Sequence, residues 1–260
     1  MNCEQAYQNI INGIKNYFNN SGFKKAVLGV SGGLDSSVVL KLAVDALGAE
    51  NVTALLLPET GITSQENVSH AKILCEFLKV QNFTHPINSY MLNYATIPWK
   101  QGETAYINTK ARIRATILYN YANTFNALVL GTSNKSELML GYGTKHGDLA
   151  SDILVIGDLF KTEVYELAEF LNIPPEIIQK APSAELYKDQ TDEAELGASY
   201  PELDTVLKQV DLGEEMLIEK GMNPIIVRKV FQRIKTNMHK LGMPHIVQAV
   251  SEPTLNTNNI

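Results

Sequence analysis

The chain of 260 residues holds only two cysteines, Cys3 and Cys75, and no Cys-x-x-Cys pair. That excludes a disulfide framework and a thiolate zinc site. Cys3 reads as an ordinary near-terminal residue. A glutaminase nucleophile would need a cysteine exposed directly after the initiator Met, and a further domain that is not expected here. Long apolar runs are missing too. No stretch approaches the roughly 20 residues of a membrane-spanning helix, and Met1-Asn2-Cys3-Glu4-Gln5 lacks the charged head and apolar run of a secretory signal. A cytoplasmic chain with no membrane partner is the expectation. Basic charge is also short: 22 Lys and Arg stand against 28 Asp and Glu, a net charge of −6. A protein that grips a long nucleic acid carries a basic field, so tRNA and DNA are not expected as partners.

No tandem repeat, low-complexity tract or Gly/Ser linker divides the chain, and residues 1–260 read as one domain. Helical and strand-like segments alternate along the first half. An amphipathic helix over Glu4 to Asn19 precedes an apolar run, Ala26-Val27-Leu28-Gly29-Val30, which reads as a buried strand. A helix from Asp35 to Leu47 ends at Gly48, where a C-cap glycine belongs. Val52 to Leu57 reads as a second strand, Gln65 to Val80 as a helix, Phe83 to Ile87 as a third strand, Thr104 to Ala122 as a long helix and Ala127 to Leu130 as a fourth strand. Such alternation predicts an α/β fold, a doubly wound parallel sheet flanked by helices on both faces.

Beyond Gly131 the pattern changes. Gly and polar residues crowd Gly131 to Asp152, helix returns over Lys161 to Leu171, and Pro174-Pro175 opens a short one. The acidic, Pro-punctuated stretch from Glu185 to Glu215 reads as mobile. Pro224 to Leu241 is a basic amphipathic helix whose apolar stripe is Val227, Val230, Phe231, Ile234, Met238 and Leu241.

The sharpest local signal is Gly29-Val30-Ser31-Gly32-Gly33-Leu34-Asp35-Ser36-Ser37, between a buried strand and a helix. A parallel α/β sheet binds its ligands at that position. Gly32 and Gly33 permit backbone conformations and a close approach that a Cβ would block. The following helix start offers unpaired N–H groups and partial positive charge to phosphate oxygens, and Ser31, Ser36 and Ser37 add hydroxyls. The Walker lysine is absent, as is the Gly-x-Gly-x-x-Gly spacing of a dinucleotide turn. Asp35 instead puts a carboxylate beside the phosphates, a conflict that a bridging Mg²⁺ resolves.

The run Ser31-Gly32-Gly33-Leu34-Asp35-Ser36-Ser37 resembles the PP-loop of the ATP pyrophosphatases, whose members attach AMP to an oxygen and release pyrophosphate. Leu34 and Ser37 stand where the common loop has Gln and Thr. Further stretches are similar to NAD synthetases: Gly131 to Glu137, Gly141 to Asp148, Pro182 to Leu186, Asp192 to Gly197 and, more loosely, Lys110 to Arg114 and His239-Lys240. The resemblance is to the bacterial ammonia-dependent type without a glutaminase domain, with an adenine-nucleotide α-hydrolase-like fold. It implies an amide synthetase that adenylates the nicotinate carboxylate of deamido-NAD with Mg-ATP, after which ammonia displaces AMP.

Residue by residue, the resemblance implies ATP contacts at Gly29, Val30, Ser31, Gly32, Gly33, Leu34, Asp35, Ser36, Thr132, Lys161 and Ser183. It implies Mg²⁺ at Asp35 and Glu137, deamido-NAD at Arg112, Lys145, Asp152, His239 and Lys240, and catalytic roles for Asp35 and Lys161. Family members are homodimers. Two other readings stay open on the residues alone: another PP-loop enzyme such as a tRNA thiolase or GMP synthetase module, and a non-catalytic nucleotide-binding module.

Overall fold

The computed structural model describes residues 1–183, 187 and 190–247. Its helices are α1 (Cys3–Ser21), α2 (Leu34–Leu47), α3 (Gln65–Phe77), α4 (Asn88–Tyr94), α5 (Glu103–Phe125), α6 (Lys135–Leu140), α7 (Lys161–Phe170), α8 (Pro175–Ile178), α9 (Asp192–Leu196), α10 (Tyr200–Leu207), α11 (Glu214–Glu219) and α12 (Pro224–Asn237). The strands are β1 (Lys25–Gly29), β2 (Val52–Leu56), β3 (Gln81–Thr84), β4 (Ala127–Gly131) and β5 (Ile153–Leu154). They pair in the order β3-β2-β1-β4-β5, all parallel. The predicted fold class is therefore the observed one.

Strand side chains alternate between two cores, as the pleat requires. Ala26, Leu28, Val52, Ala54 and Leu56 point to the larger core, shared with α1, α2, α3 and α7. Val27, Leu55 and Val129 point the other way, to α4 and α5. A third cluster stands apart from the sheet, where Leu140, Leu196, Tyr200, Leu203 and Leu207 meet Val227 and Val230. This satellite joins α6, α9, α10 and α12 and forms one wall of the site described below.

Several boundaries differ from the sequence reading for local reasons. Helix α3 stops at Phe77 because the chain turns through Lys79 at φ 58°, so β3 begins at Gln81, two residues before the expected strand. The Gly-rich stretch after Gly131 contains α6, whose Asn134 side chain accepts from the Glu137 amide at 3.0 Å while Glu137 accepts from the Asn134 amide at 3.1 Å.

The stretch from Glu185 to Glu215, expected to be mobile, carries regular structure in much of its described part: α9, α10 and the start of α11. Their acidic residues lie beside apolar ones, Leu196, Tyr200, Leu203 and Leu207, each at most 1 % exposed, and that burial holds the helices in place. Residues 185, 186, 188 and 189 lie outside the described ones. Helix α12 ends at Asn237. Its stripe is buried at Val227 and Val230, but Met238 is 66 % exposed and Leu241 49 %, so the apolar face ends sooner than the pattern suggested.

Candidate active site

A cleft of about 560 Å³ opens at the carboxyl ends of β1 and β4. These neighbours lie where the chain passes from one side of the sheet to the other, the expected ligand site of such a fold. One wall is the glycine loop, with Gly29, Val30, Ser31, Gly33, Leu34, Asp35 and Ser36 all lining the cleft. The loop is shaped by its own hydroxyls: the Ser31 amide donates to Ser36 Oγ at 3.2 Å, and Ser36 Oγ donates to the Gly33 carbonyl at 3.1 Å. Ser37 is fully buried and donates to the same carbonyl at 2.8 Å, so its hydroxyl serves the loop and not the cleft. Gly33 holds the N-cap position of α2, and no side chain caps that helix. Its first amides remain directed at whatever the cleft contains.

Gly32 does not line the cleft; it turns the loop at φ 84°. A Cβ there would lie 2.2 Å from the Asn67 carbonyl oxygen of α3, so both the conformation and the space demand glycine.

Charge is concentrated where β1, β4 and the satellite meet. Lys161, the first residue of α7, has a side chain 3 % exposed and forms an ion pair with Asp35. The second Asp35 oxygen accepts from Asn134 Nδ2 at 3.2 Å. Burial opposes the charge on Lys161, but Asp35 and Glu137 outweigh it and raise its pKa above the ordinary lysine range. Burial, and then the charge of Asp35, lifts Glu137 well above the usual carboxylate range against the pull of Lys161.

Asp192 stands close by. Burial raises its pKa, although Lys161 and the hydroxyls of Tyr142, at 3.1 Å, and Tyr200, at 3.2 Å, favour its ionised form. Burial and the adjoining carboxylates keep both tyrosines protonated, as donors. Three carboxylates thus crowd one buried lysine.

The remaining expected residues divide into two groups. Thr132, Glu137, Lys161, Ser183 and Lys240 line the cleft with the loop. Arg112, Lys145, Asp152 and His239 do not. On α5 the cleft is lined by Thr104, Ile107, Asn108, Ala111, Arg114, Ala115 and Leu118, a stripe at helical spacing that carries Arg114 and leaves Arg112 outside. Arg112, Lys145 and His239 instead form a chain on the rim: Arg112 Nε donates to the Lys145 carbonyl at 3.3 Å, and Lys145 Nζ to the His239 carbonyl at 2.6 Å. Lys240 Nζ, donating to the Gly141 carbonyl at 2.8 Å, leads from that chain into the cleft. Asp152 is separate. It accepts from the Val129 amide at 2.7 Å and from the Tyr119 hydroxyl at 3.4 Å, a role in securing β4.

With this geometry in view, comparison with known proteins is decisive. The NAD synthase family matches residues 6–244. The chain belongs to the NAD synthase family. An NH(3)-dependent NAD(+) synthetase of Archaeoglobus fulgidus is 43% identical over 248 residues, 95% of this chain and 98% of that protein. Among solved structures, the NH3-dependent NAD synthetase of Campylobacter jejuni superposes with a TM-score of 0.82 at 34% identity, covering 95% of this chain and 100% of the other. The NMN synthetase of Francisella tularensis superposes at 0.85 and 31% identity, covering 96% and 100%.

Sequence reasoning overlooked Arg114, Tyr142, Lys180, Asp192, Glu195 and Arg233 as site residues, all of which line the cleft. Asp192 and Glu195 sit in a stretch already similar to the family, Asp192 to Gly197, but nothing in their spacing marks them as facing the loop across some 160 residues. Glu195 collects donors from Tyr142 at 2.9 Å, Gln190 at 3.0 Å and Tyr187, while Arg233 donates to its carbonyl at 3.3 Å. The donor set also fits a hard divalent cation. Asp35 and Glu137 are carboxylates in excess over the one lysine between them, and Mg²⁺ is commonly held by one or two carboxylates plus substrate phosphates and water. Among the described residues no group of three or more His, Cys, Asp or Glu is placed to hold a metal by itself, so substrate oxygens and water would complete the set.

Proposed function

We propose that the chain makes NAD from deamido-NAD, ATP and ammonia, with AMP and pyrophosphate as the other products. The observation that carries this reading is the Asp35, Glu137 and Lys161 cluster at the glycine loop of a chain that matches NAD synthase over residues 6–244. The relatives named as ammonia-dependent, matched along nearly their whole length, favour ammonia as the nitrogen donor.

A carboxylate is unreactive toward ammonia until one oxygen becomes a good leaving group. In the first step that oxygen attacks the α-phosphorus of ATP, the α–β phosphoanhydride bond breaks, and pyrophosphate departs. The uncapped N-terminus of α2 and the loop amides receive the phosphates. Lys161, held by Asp35, donates to the phosphoryl oxygens as their charge grows. Asp35 and Glu137 would hold Mg²⁺, which when bound would neutralise the departing pyrophosphate. In the second step ammonia attacks the acyl carbon, AMP leaves, and the new amide nitrogen sheds a proton. The Glu195 cluster, one wall of the cleft, would help keep water from the adenylate. The rim chain of Arg112, Lys145, His239 and Lys240 would carry the phosphates of the dinucleotide.

The same proposal includes a single domain, a cytoplasmic setting and a homodimer. Among the described residues no helix is long and apolar enough to cross a membrane. Leu92 on α4, Trp99 in the link to α5 and Phe125 at the end of α5 are 72 %, 66 % and 46 % exposed, apolar surface of the kind that subunit contact covers. The test is direct. Purified protein with ATP, Mg²⁺, ammonium and deamido-NAD yields NAD, AMP and pyrophosphate in equal amounts, and glutamine does not replace ammonium. Absence of pyrophosphate under those conditions would sink the reading. One observation favours a second substrate: the NMN synthetase of Francisella tularensis superposes as well as the NAD synthetase of Campylobacter jejuni. Competition between the nicotinate mononucleotide and deamido-NAD in one assay separates the two.

A further inference from the structure

The glycine loop carries no lysine of its own, but the fold brings one to its outer side. Lys180 follows α8 and donates through Nζ to Asn67 Oδ1. Asn67 lies in the first turn of α3, is 4 % exposed, and has its amide fixed by Ser64 Oγ at 3.2 Å. The backbone of that same asparagine abuts Gly32, leaving no room for a Cβ. Asn67 therefore meets Gly32 through its backbone and Lys180 through its side chain, and Lys180 lines the cleft with Ser31, Gly33 and Ser36.

The other cleft cations meet partners away from Asn67: Lys161 meets Asp35, Lys240 the Gly141 carbonyl, Arg233 the Glu195 carbonyl and Arg114 the Leu57 carbonyl. Only two residues, Ala181 and Pro182, separate Lys180 from Ser183, which the resemblance places on ATP. A chain of phosphates lying on the loop would carry several negative charges, and Lys161 meets them from the α7 side alone.

We infer that Lys180 is a phosphate-binding residue, turning from Asn67 to the β- and γ-phosphates of ATP and holding pyrophosphate after the anhydride bond breaks. It supplies from a distant segment the cation that other phosphate loops carry within themselves. The inference rests on the reading of the loop as an ATP site, though not on the identity of the nicotinate substrate.

The experiment is calorimetric titration of the full chain with a non-hydrolysable ATP analogue, inorganic pyrophosphate and AMP, all with Mg²⁺. Lys180→Gln should weaken the analogue and pyrophosphate by about 10- to 100-fold, the range for losing one charged hydrogen bond. AMP, which lacks the outer phosphates, should stay within about twofold on the same scale. Lys180→Arg, which keeps the charge, should retain most of the affinity for all three. Unchanged pyrophosphate binding in Lys180→Gln overturns the inference, as does an equal loss for AMP or an equal loss in Lys180→Arg. Wild-type protein that binds no ATP analogue would instead overturn the reading of the loop itself.

Discussion

Asp204 accepts a 2.5 Å hydrogen bond from the Ser136 hydroxyl, and both side chains are buried. The other Asp204 oxygen accepts from the Thr162 amide at 2.9 Å, and Ser136 Oγ accepts from the Lys161 amide at 2.9 Å. A carboxylate of α10 thus caps α7, whose own N-cap residue, Phe160, has no acceptor to offer. Ser136 adjoins Glu137 and Lys161 begins α7, so one buried anion fixes both helices of the site in register. Asp204→Ala leaves a hydroxyl and an amide without partners. It should lower stability by about 2–4 kcal/mol, from a lost cap and unpaired buried groups, as read by urea denaturation. Turnover should fall more than apparent ATP affinity, because Lys161 loses its placement while the glycine loop is untouched.

Gly32→Ala tests the other wall. The φ of 84° costs an alanine about 1–2 kcal/mol, and the Cβ meets the Asn67 carbonyl oxygen at 2.2 Å. Backbone has to move, either in the loop or in α3. The expected outcome is a lower melting temperature together with weaker ATP binding. A variant with normal nucleotide affinity would show that the close approach of α3 to the loop is dispensable.

The two walls were not equally legible in the sequence. Gly32, Gly33 and the missing Walker lysine announce a phosphate cradle because the constraints are local, a positive φ and an uncapped helix, whereas the contact of Gly32 with Asn67 of α3 is not. The parallel sheet was legible for the same reason, since apolar runs and helical periods are local patterns. Helix α6 was not, because six residues are too few to show a period, although its capping pair, Asn134 and Glu137, was on view. Asp192 and Glu195 belong to a family-like stretch, but the sequence does not aim them at the cleft, because α9 is oriented by the satellite core and not by its own acidic residues. Arg112 and Arg114 differ only in their angle around α5. Two residues along a helix is more than half a turn, enough to exchange cleft for rim.

Cys75 offers a chemical test of the core. It is fully buried, and burial pushes its thiol up to about 11, from the 9.0 of an exposed thiol. At pH 8 the native protein should release Cys3 to iodoacetamide rapidly and Cys75 only on unfolding. The sign for stability follows from the raised value. Below pH 9 the thiol is protonated in both states and its contribution is intact; as pH climbs from 9 toward about 11 the unfolded chain loses the proton first, and stability falls. Rapid alkylation of both thiols at pH 8 would contradict the packing of α3 against the sheet.

Lys161→Met separates the two kinds of cation proposed for the site. On the alkaline side Lys161 keeps its charge through the ordinary lysine value of 10.5, because its folded pKa lies above that value and deprotonation comes later still. Removing the lysine leaves Asp35, Glu137 and Asp192 facing one another without it. Turnover should fall by about 10²–10³, the scale for losing one preorganised donor to a developing charge. Mg²⁺ should then raise the melting temperature of Lys161→Met more than that of the wild type, since a divalent cation relieves the same repulsion, but it should not restore the rate. Asp35→Asn should remove most of the Mg²⁺ response and most of the turnover while the fold persists, because an amide preserves the shape and takes away the charge. Thermal melts at fixed ATP-free conditions with and without Mg²⁺, run beside pyrophosphate release, read both effects. Equal Mg²⁺ shifts in all three proteins would place the metal somewhere other than Asp35 and Glu137.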